Sequence, residues 1–211
     1  MEKRVIRMLA CLIVFTLAAV SVRAQLIDGG FETNGIPNWS TFNFAFQLAN
    51  TNMASGVPHG GTHVLQAYGP FNANWDGSGA SQIIAASPGQ SWTLNGFAMD
   101  PSGDSMKGTS FGEIQVVFKD SLNNTLATFS SINATAGSPT DVWMPLTASG
   151  VAPAGTADAT IYTLHLSSPA NYGGSIYFDD LSVVVVPEPS SVVLALTGLL
   201  GLVAFAKKRR V

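Results

Sequence analysis

TFNFAFQL, residues 41–48, is the stretch that decides the fold class: Phe42, Phe44, Phe46 and Leu48 alternate with Thr41, Asn43, Ala45 and Gln47. Successive side chains of an extended chain point to opposite faces, so a period of two marks a strand whose two faces differ. The alternation returns at Trp92-Thr93-Leu94, at Ile114, Val116 and Phe118, and at Tyr162, Leu164 and Leu166. Residues 181–186 are apolar apart from Ser182, as expected of a strand buried on both faces. Glycine, proline and asparagine clusters separate these runs, and no helical period is visible before residue 190. About eight to ten strands at this spacing predict an all-β antiparallel sandwich.

The two ends of the 211-residue chain stand apart from this pattern. Lys3, Arg4 and Arg7 precede an apolar run and a small-x-small site, Val22-Arg23-Ala24, which is the build of a secretory signal peptide over 1–24. Signal peptidase is then a partner, and the folded domain spans 25–186. Its only basic residues are Lys107 and Lys119, against eleven Asp and Glu. So few cations cannot neutralise phosphates, which excludes nucleic acid as a partner. The single cysteine, Cys11, lies in the signal segment, so the exported domain has neither disulfides nor thiolate chemistry.

At the other end, Pro187-Glu188-Pro189 stops the last strand. Residues 190–206 then carry no charge, and Lys207, Lys208, Arg209 and Arg210 follow. At about 1.5 Å per residue a helix over 190–206 is just long enough to span a bilayer. The positive-inside rule keeps the basic cluster in the cytoplasm as a stop-transfer anchor and the domain outside. These three parts in this order resemble the PEP-CTERM sorting signal, also catalogued as the C-terminal region of ice-binding proteins. The resemblance implies an exosortase substrate, with Pro187, Glu188 and Pro189 as the recognised motif. Such a protein is anchored at the inner membrane with its domain in the periplasm, then processed and passed to the cell surface or the extracellular matrix. No flat regular threonine array, which ice binding would call for, is visible.

Within the domain, residues 26–32, LIDGGFE, followed by Pro37-Asn38-Trp39 resemble the opening of galactose-binding-like carbohydrate-binding modules, which are jelly rolls. His59-Gly60-Gly61-Thr62 with the strand after it, Val142-Trp143, and Phe178-Asp179-Asp180-Leu181 fit the same pattern. The resemblance implies one structural calcium held by Glu32 and Asp180, where the first and last strands meet; solvated or turn-capping acids are the alternative. Asp100-Pro101-Ser102-Gly103-Asp104 reads as a plain turn.

Sugar recognition needs flat aromatic faces beside amides or carboxylates. Trp39, Trp92 and Trp143 read as core. Trp75 differs, because it sits in the polar segment 71–77, FNANWDG, with Asn72, Asn74 and Asp76 beside it. Those four form the candidate carbohydrate site, with Tyr68 and Tyr172 in reserve, and exopolysaccharide is the matching partner. Gly108-Thr109-Ser110-Phe111-Gly112 matches a nucleophile-elbow spacing, but an elbow needs a strand before the serine and a helix after it, and the pattern here offers a loop and a strand. His59 and His63 read as turn histidines. The expectation is a non-enzymatic surface protein: either a carbohydrate-binding module or a structural matrix protein with no glycan ligand.

Overall fold

The TFNFAFQL run is cut in two. A computed structural model describes residues 25–69, 76–167 and 173–186, with 198 and 200. Asn43 takes a left-handed conformation (φ 51°) and donates its amide to the Gly77 carbonyl. The run therefore yields β1 (Ser40–Phe42) in one sheet and β2 (Ala45–Ala49) in the other. Asparagine tolerates positive φ better than other non-glycine residues, so it is the position in this run where a corner costs least.

Nine further strands follow: β3 (His63–Tyr68), β4 (Asp76–Ala85), β5 (Ser91–Met99), β6 (Phe111–Lys119), β7 (Thr125–Ser130), β8 (Ala134–Thr135), β9 (Met144–Val151), β10 (Asp158–Ser167) and β11 (Ser175–Val186). They form two antiparallel sheets, β1-β4-β10-β6-β7 with β8 beside β6, and β2-β3-β11-β5-β9. The last strand lies deep in its sheet, because β11 enters between β3 and β5, whereas β1 stands at the edge of the other. That insertion brings Leu181 to Gly29, whose carbonyl accepts its N–H at 2.9 Å. Among the described residues no helix is long and apolar enough to cross a membrane. The signal segment, nearly all of the expected span, Pro187-Glu188-Pro189 and the 207–210 cluster lie outside the described residues.

Trp92, Phe118, Phe178, Leu94, Ile114, Leu146, Ile161 and Ile176 fill the space between the sheets. Each such side chain contributes about 1.5–3 kcal/mol on burial, more than any surface ion pair can. Trp39 joins them, as expected. One end of the core is polar instead: Ser78, Thr163, His165 and Ser167 are all buried there.

Two expectations fail. Residues 181–186 are not covered on both faces: Val183 and Val185 pack on the core, whereas Val184 and Val186 are more than half exposed. The reason is the segment 50–62, which folds over only the upper part of this sheet's outer face. There it forms a second small core in which Met53 packs with Val64, Met99 and Tyr177, and the Tyr177 hydroxyl accepts the N–H of Ala54. Trp143 is the other correction. It packs at the margin of that second core, half-buried, with Nε1–H donating to the Val57 carbonyl.

Candidate functional site

The corner where β11 meets Gly29 gathers three carboxylates around one loop. A β-bulge between Asp179 and Ser182 interrupts the pairing of β11 with β5, and Asp180 adopts φ 49°. The bulge puts two successive acids within reach of residues 59–60. Asp179 Oδ2 accepts the N–H groups of His59 (2.9 Å) and Gly60 (3.0 Å), and its Oδ1 accepts that of Asp180 (2.8 Å). Asp180 Oδ2 lies 2.7 Å from His59 Nδ1. Glu32 meets the next residues of the loop: Oε1 accepts the N–H of Thr62 and His63 at 2.8 and 2.9 Å, and Oε2 faces the Thr62 hydroxyl and His63 Nδ1.

Close packing leaves no choice of residue at several points. A Cβ on Gly60 would stand 2.6 Å from Asp180 Oδ2, and one on Gly61 would overlap Glu32 Oε1. Burial pushes the Asp179 carboxyl up to about 6, against its three N–H donors. Burial also raises the Glu32 pKa, but the donors from His63 and Thr62 outweigh it and hold the group below the usual glutamate value. Glu32 and Asp180 do come together, both within 4 Å of where a Gly30 Cβ would be. Histidine and backbone donors occupy their oxygens, and among the described residues no three His, Cys, Asp or Glu side chains are placed to hold a metal. The part played by His59 and His63, invisible in the sequence, is to pair with these acids.

The carbohydrate candidates Asn72, Asn74 and Trp75 lie outside the described residues, as does Tyr172. Asp76 opens β4, where its Oδ1 accepts the N–H of Gly77. A second aromatic surface was missed. Strand register places Tyr162 of β10 between Ser81 of β4 and Gln115 of β6, on the face turned away from the core. Leu164 stands on the same face between Gly79 and Glu113. Phe42, opposite Gly79, meets the Tyr162 ring edge-on at 6.3 Å. Glu113 Oε1 accepts the amide N–H of Gln115 at 2.7 Å, and that amide also donates to the Ser130 hydroxyl. The result is a sheet face with two half-buried aromatic rings, a glycine floor and a carboxylate–amide pair in which Glu113 is buried and Gln115 half-buried.

Ser110 is buried and followed directly by strand β6, so the Gly108–Gly112 spacing has no elbow context. A cavity of about 280 Å³ lies beside Trp143, floored by Asp100, whose carboxyl burial raises above the usual aspartate value. Both Asp100 oxygens are engaged, by Met106 N–H and the Ser105 hydroxyl.

Residues 185–210 match the profile of the PEP-CTERM protein-sorting motif. Among curated proteins none matches the chain. Solved structures share its fold at low identity. A cyclase from Fischerella sp. TAU has a TM-score of 0.58 at 13% identity, covering 80% of this chain and 99% of the cyclase. The CBM22-1 xylan-binding domain of Paenibacillus barcinonensis Xyn10C gives 0.53 at 14%, covering 78% and 96%. A family 16 carbohydrate-binding module gives 0.52 at 17%, covering 75% and 97%. The chain thus carries the sorting motif, and its sandwich has the jelly-roll fold of carbohydrate-binding modules, a fold that enzymes also use.

Proposed function

We propose that this is an exported surface protein, sorted and processed by an exosortase, whose non-catalytic sandwich associates with exopolysaccharide through the outer face of the β1-β4-β10-β6-β7 sheet. The observation that carries the reading is the platform itself. Tyr162 and Phe42 offer flat apolar faces, and beside them lie the carboxylate of Glu113 and the amide of Gln115, groups of the kind that bond sugar hydroxyls. Two glycines, Gly77 and Gly79, keep the neighbouring strand low enough for a ring to lie against the sheet. Trp75, with Asn72, Asn74 and Asp76, stays a separate proposed sugar contact, in the segment that leads into β4. The likeness to carbohydrate-binding modules supports the reading at the level of fold.

The test is retention of the full chain on polysaccharide from an exopolysaccharide-producing bacterium. Tyr162→Ala, with an unchanged melting temperature, is expected to weaken binding by about fivefold or more, since a stacked ring is worth on the order of 1–3 kcal/mol. A folded wild-type chain that binds no glycan overturns the carbohydrate reading and leaves the structural matrix protein in its place.

Glu32 and Asp180 remain the pair proposed to hold one structural calcium. Carboxylate oxygens suit this hard cation, and the two acids share a corner that joins the ends of the domain. His59 and His63 would have to yield their places to it. Calcium then raises the melting temperature and EDTA reverses the rise, because a ligand held only by the folded state must stabilise it. Identical melting curves in calcium and EDTA remove the site.

A further inference from the structure

The sorting motif and the folded sheet overlap. Its match begins at residue 185, yet Val185 and Val186 are also the last residues of β11, in register with Trp92 and Ser91 of β5. Pro187 follows at once, so no linker parts the motif from the sandwich. Any enzyme that grips this motif meets the end of β11 in the same act.

What it meets there is a strand edge with no partner strand among the described residues. On the side away from β5, β3 pairs only with residues 175–178. Past the bulge Leu181 donates to Gly29, and among the described residues β5 is the only strand paired with 182–186. The chain before Gly29 leaves this edge for the other sheet, where the backbone N–H and carbonyl of Ile27 both bond the Gln82 amide. Backbone groups alternate sides along a strand, so the N–H groups of Val183 and Val185 point the same way as that of Leu181, toward the open side. A row of unpaired donors and acceptors is a template for another strand, which proteins usually guard with lysine, proline or a covering loop. Among the described residues nothing covers 182–186 on this side, and Ser182, Val184 and Val186 are exposed and uncharged.

We propose that residues 182–186 of β11 are the docking strand for the membrane enzyme that processes the sorting motif. An extended, uncharged segment of that enzyme pairs with the free edge and so presents the adjoining motif for cleavage. This rests on the exosortase reading above. A second copy of the chain is the weaker occupant, because five residues of edge bury far less than the roughly 800 Å² per partner of a stable interface. An enzyme that already holds the tail needs only a modest second contact, made effectively intramolecular by the first.

The test follows tail removal from the full-length chain, by mass of its C-terminal fragment, in a bacterium with the processing system. A Ser182→Lys/Val184→Lys double variant changes no residue of the matched motif and touches only exposed positions. Its melting temperature should match wild type while its processing slows at least tenfold; processing at the wild-type rate overturns the proposal. Inserting a flexible Gly-Ser linker after Val186 should also slow processing, and faster processing would show that the edge obstructs the enzyme. A photo-cross-linking residue in place of Ser182 should trap the enzyme, whereas an adduct of twice the chain mass assigns the edge to self-association and overturns the proposal. If the wild-type chain is never trimmed, or is trimmed equally well with Pro187, Glu188 and Pro189 all changed to alanine, the sorting reading fails first. Those outcomes are distinct from a failure of the edge variants alone.

Discussion

Asp179 on β11 and His165 on β10 are both fully buried titratable side chains, and their surroundings could hardly differ more. Three backbone N–H groups surround the Asp179 carboxylate, two of them from the loop that crosses its sheet. Among the described residues neither ring nitrogen of His165 makes a hydrogen bond of good geometry; the nearby Tyr68 backbone pulls its pKa up, but burial outweighs it and pushes the pKa down to about 4. A buried polar group is costly unless its bonds are made. The Asp179 corner turns that cost into a strap for residues 59–60, while the His165 end of the core simply bears it. One corner is built around its charge, and the other tolerates a neutral ring.

The largest expected effect comes from removing the strap. Asp179→Ala leaves three N–H groups without their acceptor and should cost roughly 3 kcal/mol in denaturant unfolding, on the scale of breaking a buried charged network. Hydrogen exchange should rise first in residues 50–62. An Asp179→Ala protein with wild-type stability would show that the second core alone holds the segment down. His165→Leu should act in the opposite direction, gaining about 1–2 kcal/mol at pH 7 by removing unpaired polar atoms. A loss of stability instead would mean that a bonded partner holds the ring.

The pH dependence sharpens the contrast in the metal-free protein. His165 has a folded pKa near 4, below its unfolded value of 6.5. Its contribution is therefore complete above pH 6.5 and is lost as pH falls through that window toward 4. Asp179 is raised from 3.8 to about 6, so its contribution is complete below pH 3.8 and is lost as pH rises through 6. Between pH 4 and 6 the two oppose each other, and the wild-type melting temperature should vary little on their account. His165→Leu should leave a stability that falls with rising pH, and Asp179→Asn one that rises. Parallel slopes in the two variants would break the comparison. Smallest of all is Glu32→Gln: its pair with His63 is a partly exposed one, and its loss should shift stability by less than about 1 kcal/mol.

How much of this could be read along the chain depends on the residue. Alternation at 114–118 and 162–166 marked strands correctly, because a period of two is a local property of the backbone. It did not say which face would be inner. Phe44 and Phe46 stand outward and pack with Tyr68, since the corner at Asn43 re-aims the chain between two sheets. Tyr162, Glu113 and Gln115 meet on one face only through the pairing of β10 with β6, a register between residues some 50 positions apart. Glu32 and Asp180 were expected together from resemblance, and they adjoin. The histidines that now occupy them come from a loop whose path depends on the second core beneath it.

By itself the sequence determined the strand-and-turn character of the domain, its acidity, its lack of cysteine and the sorting motif at its end. Each of these is written in composition or in short-range order, which needs no fold to be legible. Only the tertiary structure decided which strand faces water, which described strand borders 182–186 of β11, and how differently one buried charge and one buried ring are surrounded. Those outcomes depend on contacts between distant segments, which a side chain's position along the chain does not encode.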